Sequence, residues 1–314
     1  MNTSFADIEK KENRKDLIIS ICVFLSGFSC FAQLYYFQPL LPDLAKDFIL
    51  SASESSFAIS FSTLGMVFGL FTTMFVADRI PRKKMIGTGL LSSSIFSVAA
   101  SFSPTFLPLI LLSAAKGFLL SGATSVSMAY IAEEVSSRNK GKIMGLYIAG
   151  NALGGMAGRV ISSWIGALYT WRIASVSIGL ICALFAILFL LFSPTNFMPR
   201  KESFHTLIIA NLQLITSKAL IPFYLTGGLI LGVFVSLYNY LGFYLTKAPF
   251  NFPEHYIHYI YLMYIFGIFG SIATAGLTRY FTHFKVLKAM FLVSAAGILL
   301  LYITDFRVVT LGLA

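Results

Sequence analysis

The sequence predicts an all-α membrane protein built as two six-helix bundles, the second of them incomplete, and three observations carry that prediction. About nine apolar runs, each near the roughly 20 residues that cross a bilayer as a helix, follow one another along the 314 residues. Hydrophobic residues make up 57% of the chain and charged residues 11%, with a mean hydropathy of +0.81, against roughly 25% charged residues in an ordinary soluble domain. Most of the basic residues fall in short clusters between the runs, at alternate connections.

Residues 1–16 mix both charges and lack the apolar core and small-residue cleavage site of a signal peptide, so they read as a solvated cytoplasmic tail. Runs at about 17–41, 55–77, 84–102, 106–132, 142–168 and 171–193 form the first bundle, 17–193. The less apolar segment 194–218, with Pro194, Pro199, Arg200, Lys201 and Glu202, reads as a cytoplasmic linker. Runs at about 220–246, 256–280 and 286–303 open a partial second bundle, 219–314, and a tenth run begins near Arg307. A helix ended after two turns leaves backbone groups unpaired in lipid, so the expectation is a chain cut inside its tenth helix.

With the amino terminus inside, the basic clusters at 10–15, 79–84, 138–142, 200–201 and 285–288 are cytoplasmic, and only Lys46, Arg172, Lys247 and Arg307 lie outside. The net charge of +10 is thus spread over many loops, which excludes the single basic face of a nucleic-acid binder. Cys22, Cys30 and Cys182 sit inside apolar runs without metal-ligand spacing and read as reduced packing residues. His205, His255, His258 and His283 form no triad or metal pattern, and no phosphate loop is present. The expectation is therefore neither an enzyme nor a nucleotide-driven pump, with no cofactor.

Between the second and third runs lies MFVADRIPRKKMI, where Asp78, Arg79, Arg82 and Lys83 must stay in water and force a tight hairpin. These four residues match the G-x-x-x-D-R-x-G-R-K loop of the major facilitator superfamily, which the chain resembles here; Met74 and Pro81 replace its glycines. In the fifth run Gly141, Gly150, Gly154 and Gly158 resemble the antiporter signature of bacterial twelve-helix drug and sugar exporters, with Gly155 at its proline and Arg159 at its last glycine. In the fourth run Gly117 matches the glycine of those exporters' R-x-x-Q-G, Lys116 takes the glutamine position and Ser113 the arginine position. Leu34-Tyr35-Tyr36-Phe37 recurs as Leu237-Tyr238-Asn239-Tyr240, and Asp78-Arg79 is echoed by Thr278-Arg279, so the repeat unit is a six-helix half.

The resemblance implies a monomeric secondary transporter of the bacterial inner membrane that exports small organic solutes by alternating access about a midplane site, with protons as a candidate coupling ion. It also implies gating by Asp78, Arg79, Arg82 and Lys83. Gly150, Gly154 and Gly158 share one helix face, which allows close packing alone or packing with an added gating role. Lys116 lies about ten residues from the outer end of its run, roughly 15 Å, and Arg159 at a similar depth. No acid lies deep in a run, so both cations are expected to face water or an arriving anion, Arg159 alternatively reaching helix carbonyls or Asn151. The expected solute site comprises Gln33, Tyr36, Lys116, Asn151, Arg159, Tyr238 and Asn239, with Gln38, Tyr130 and Tyr147 facing the same cavity. The coupling acid lies in further helices, or is Asp43 or Asp78, or protons are not used. Two other readings stand beside the transporter: a truncated, inert membrane fragment, and a non-transporting membrane partner protein.

Overall fold

In the computed structural model the described residues are 5–195, 213–253, 257–277, 280–303, 305 and 312–313. Most of the linker, with Arg200, Lys201, Glu202 and His205, lies outside them, as do His255, the Thr278-Arg279 echo and Arg307 with most of the tenth run. The chain forms α1 (Phe5–Tyr35), a 3-10 turn (Gln38–Leu40), α2 (Leu41–Asp47), α3 (Ala52–Ser55), α4 (Phe57–Val76), α5 (Arg82–Ala100), α6 (Phe106–Glu134), α7 (Lys140–Leu168) and α8 (Trp171–Phe192). After the linker come α9 (Ile221–Thr246), α10 (Ile257–Tyr261), α11 (Tyr264–Leu277) and α12 (His283–Leu300).

Helix α1 begins at Phe5, so the described helix starts inside the segment expected to be a tail. It breaks after Tyr35 because Pro39 and Pro42 cannot continue the hydrogen-bond ladder, yet each suits the first turn of a new helix. A reciprocal Ser51–Glu54 capping box starts α3.

Five described helices are long and apolar enough to span a membrane: 12–47 and 52–76, each read through its short breaks, together with α6, α8 and α9. The third and fifth expected spans, α5 and α7, are absent from that set because serine and glycine dilute them. The bundle supplies what lipid does not. Ser93 and Ser94 hydroxyls donate to the Leu90 carbonyl and Ser97 to Ser93 O, so buried hydroxyls of α5 are satisfied within their own helix. Helix α5 packs against α6 and α8, and α7 against α1 and α8.

The two cores of the first bundle lie at opposite ends, one around Tyr130, Val135 and Phe189, the other around Leu40, Leu44 and Trp171. A third core, around Tyr238, Leu245 and Tyr261, belongs to the second half. The halves meet where α9 touches the 3-10 turn and α2, and where α10 and α11 touch α7. Toward its other end α9 stands clear: Leu225 and Leu229 are 62% and 70% exposed, and Gly227, Gly228 and Gly232 have no neighbour within 4 Å of a built Cβ. Among the described residues, the halves therefore touch at the Tyr35–Asp47 end and along α7, while the 221–232 stretch of α9 is largely exposed.

Candidate functional site

The site is positioned by the contact of α1 with α7. A Cβ on Gly150, Gly154 or Gly158 would lie 2.5 Å from Phe24 O, 2.2 Å from Phe28 O and 2.7 Å from Ala32 Cα. The three glycines thus let two backbones touch along two turns, which is the packing role expected of them. Gly141, at the far end of the motif, meets nothing within 4 Å.

The residue after this seam is Arg159, which is fully buried. Its Nε donates to Gln38 Oε1 at 2.6 Å and its Nη1 to the Gly155 carbonyl at 2.6 Å, while Nη2 has no hydrogen-bond partner among the described residues. Four rings surround the guanidinium carbon, Tyr35 at 4.4 Å, Tyr264 at 5.1 Å, Tyr238 at 5.3 Å and Phe234 at 5.9 Å. Gln38 in turn donates from Nε2 to Asn239 Oδ1 at 2.8 Å. One buried cation of the first half is thereby linked to the second half by rings and by an amide relay. Two charge-assisted hydrogen bonds of about 1.5–3 kcal/mol each and ring contacts on the order of 0.5–2 kcal/mol offset a desolvation penalty of several kcal/mol per ion. No carboxylate forms an ion pair with it among the described residues.

Lys116 has a different setting. Gly117 packs so closely on α4 that a Cβ would lie 1.8 Å from Ser62 O. The Lys116 side chain lies 4.5 Å and 4.9 Å from the ring centroids of Tyr36 and Phe37, is 1% exposed, and its Nζ has no hydrogen-bond partner among the described residues. The expectation of a water-facing Lys116 beside Arg159 is corrected here. The two cations have no ring in common: Lys116 lies over Tyr36 and Phe37, just past the break that ends α1, and Arg159 against Tyr35, Phe234, Tyr238 and Tyr264.

The other expected solute residues also divide. Tyr238 and Asn239 join Arg159 at the contact between the halves. Gln33 lies inside the first bundle, its Oε1 accepting from Ser93 at 2.9 Å and Ser97 at 3.3 Å. The Tyr36 hydroxyl is 2.8 Å from Ser175 Oγ, and Asn151 lies against Gly27 of α1. Tyr130 donates to the Pro194 carbonyl at the end of its bundle, and Tyr147 is buried in the same bundle's core. Tyr35, Phe234 and Tyr264 are the residues that sequence reasoning left out. Tyr35 had a signal, since it is the repeat equivalent of Tyr238, and the two rings flank the same guanidinium.

At the opposite end Arg82 is 8% exposed and donates to Asp78 Oδ1 at 2.6 Å, to Glu133 Oε1 at 3.3 Å and to the Ala77 carbonyl. Arg79 is exposed and Lys83 half-buried. Nearby, Lys15 pairs with Glu134 at 2.8 Å, and Asp16 accepts from Asn139 Nδ2 at 2.8 Å and from Ser136. These charges tie α1, the α4–α5 loop, α6 and the α6–α7 loop of the first bundle to one another. Cys22, Cys30 and Cys182 are buried free thiols, as expected.

Comparison with known proteins supplies the lineage. The Major Facilitator Superfamily model matches residues 20–313. A transporter of Buchnera aphidicola subsp. Schizaphis graminum, described as uncharacterized, is 32% identical over 308 residues, which cover 98% of this chain and 75% of that protein. The inner membrane transport protein YnfM of Escherichia coli K12 is 35% identical over 236 residues, 74% of this chain and 56% of that protein. Among solved structures, a bacterial homologue of the human lysosomal transporter Spinster, in an inward-facing and occupied conformation, superposes with a TM-score of 0.73 at 13% identity, over 94% of this chain and 70% of that one. The chain spans 75% and 56% of the length of the two sequence relatives.

Proposed function

Because the chain belongs to the major facilitator superfamily, a family of multi-pass membrane transporters, we propose that it works as a secondary active transporter that moves a small organic anion by alternating access. The observation that carries this reading is Arg159, a fully buried cation at the contact between the halves, with one donor unfilled and no carboxylate partner among the described residues. A desolvated cation with a spare donor favours an anionic guest over a neutral or cationic one. The binding set is Arg159 and the rings of Tyr35, Tyr238 and Tyr264, with Gln38 and Asn239 as the amide relay that joins the cation to the second half. Halves in contact at one end, with α9 standing clear at the other, fit one stage of an access cycle, and the basic clusters support an orientation with that clear end on the cytoplasmic side of a bacterial inner membrane.

Export in exchange for protons is the coupling suggested by the glycine spacing of α7. Asp43 and Asp78, at opposite ends of the first bundle, are the acids of this chain offered for that exchange. The test is reconstitution of the full-length protein into liposomes and flux of anionic, neutral and cationic organic solutes, with and without a pH gradient. The expected result is flux of anions, lowered at least about tenfold in Arg159→Gln and driven by the gradient. Flux confined to cations or neutral solutes overturns the anion assignment, and gradient-independent flux overturns proton exchange.

A further inference from the structure

Nε and Nη2 form one edge of the Arg159 guanidinium, two parallel N–H donors whose spacing fits the two oxygens of a carboxylate. Only the Nε half of that edge is filled, by Gln38 Oε1 at 2.6 Å, and Nη2 has no partner although the residue is fully buried. Nη1 is committed to the Gly155 carbonyl. The same Gln38 amide donates to Asn239 Oδ1 at 2.8 Å, so a single side chain both occupies the cation and fastens the first half to the second.

We propose that Gln38 is a resident stand-in for the carboxylate of the solute. A solute with one carboxylate on a flat apolar body takes the Nε–Nη2 edge, displaces Gln38, frees Asn239, and so opens this end of the transporter only when it is loaded. The inference rests on the anion-transport reading of Arg159 and adds to it a gate and a solute class.

Three features select that class. A carboxylate brings the counter-charge that a neutral amide oxygen lacks and presents two oxygens to the Nε–Nη2 edge, so it outcompetes the single Gln38 oxygen. Arg159 is the buried cation described at this contact between the halves, since Lys46 and Lys247 there are exposed and Lys116 lies over Tyr36 and Phe37 within the first bundle, so a second negative group has no buried counter-charge. The faces of Tyr35, Tyr238 and Tyr264, now 4.4–5.3 Å from the guanidinium carbon, suit a planar ring in stacked or edge contact. The solute reaches them from the end where α9 stands clear, and the gate it releases lies at the other end.

The experiment uses the full-length protein with a cysteine at Ser163. That residue lines a cavity of about 320 Å³ with Pro39, Leu40 and Pro42 on the far side of the gate, and the native cysteines are buried. Labelling rate reports opening, and thermal stabilisation reports binding, with benzoate, phenylacetate and cyclohexanecarboxylate as probes beside their amides. Benzoate but not benzamide should stabilise the protein and speed labelling. Gln38→Glu places a permanent carboxylate on Arg159, and should lower benzoate affinity and labelling rate at least about tenfold. Gln38→Leu should label fast without any probe.

Gln38→Glu binding benzoate as well as the unmodified protein, or Gln38→Leu labelling no faster, overturns the stand-in; the anion reading itself survives if Arg159→Gln still loses benzoate. Equal binding of cyclohexanecarboxylate and benzoate overturns the flat body. Failure of every carboxylate to bind while neutral solutes are carried overturns both inferences together.

Discussion

Lys116 and Arg159 show how two buried cations of one bundle differ in what holds them. Arg159 has two hydrogen bonds and four rings around it, and its removal would orphan Gln38 Oε1. Lys116 has two rings and no hydrogen-bond partner among the described residues. Leaving one buried partner unsatisfied costs about 1–3 kcal/mol, whereas exchanging an unsatisfied polar group for an apolar one of similar shape is near neutral or stabilising. Arg159→Met is therefore expected to lower the melting temperature, by the equivalent of about 1–3 kcal/mol, and Lys116→Met to leave it unchanged or raise it. A thermal denaturation series in detergent measures both, and a large loss in Lys116→Met would mean that its amine has a partner in the folded protein.

At the scale of elements, the seam between α1 and α7 and the charge cluster beside α5 make separate predictions. A side chain at Gly154 runs into the Phe28 backbone, which cannot move aside without shifting α1, whereas Gly141 faces open space. Gly154→Leu should therefore destabilise by about 1–3 kcal/mol or more, and Gly141→Leu should be tolerated; equal melting temperatures for the two variants would show that the helices do not pack as described. Arg82 draws the α4–α5 loop onto α6 through Asp78 and Glu133, whose side chains are 26% and 42% exposed. Because these pairs are partly in water, Asp78→Asn should cost no more than about 1 kcal/mol. Hydrogen exchange should nevertheless quicken over 77–84 while membrane insertion is kept, and an unchanged exchange pattern would remove the clamp from the account. The family resemblance implied a gating role for this loop; the described partners of Arg82 all lie in the first bundle.

For the molecule as a whole, the testable property is topology. A reporter fused after Arg82 should be cytoplasmic, and one fused within 51–55 should be external, because the charge bias of the first bundle is complete by Lys142. The reverse pattern would invert the orientation and the side from which solute enters. Apolar length and basic clusters marked the spans, the hairpin at 78–84 and the two halves, since these depend on the local cost of placing charge and backbone in lipid. The four-residue glycine spacing marked the close approach of α7 to a neighbour, because it needs one helix face and nothing else. Which polar residues share a site was not readable in the same way. A membrane helix is apolar toward lipid and apolar toward its bundle, so its sequence carries little of the amphipathic period that reveals which face turns inward. Gln33, Tyr36, Asn151 and Lys116 therefore resembled Arg159, Tyr238 and Asn239 in type and depth. Only the rotation of each helix about its own axis, set by the contacts of α1, α6 and α7, sent the first four into one bundle and brought the last three to the contact between the halves.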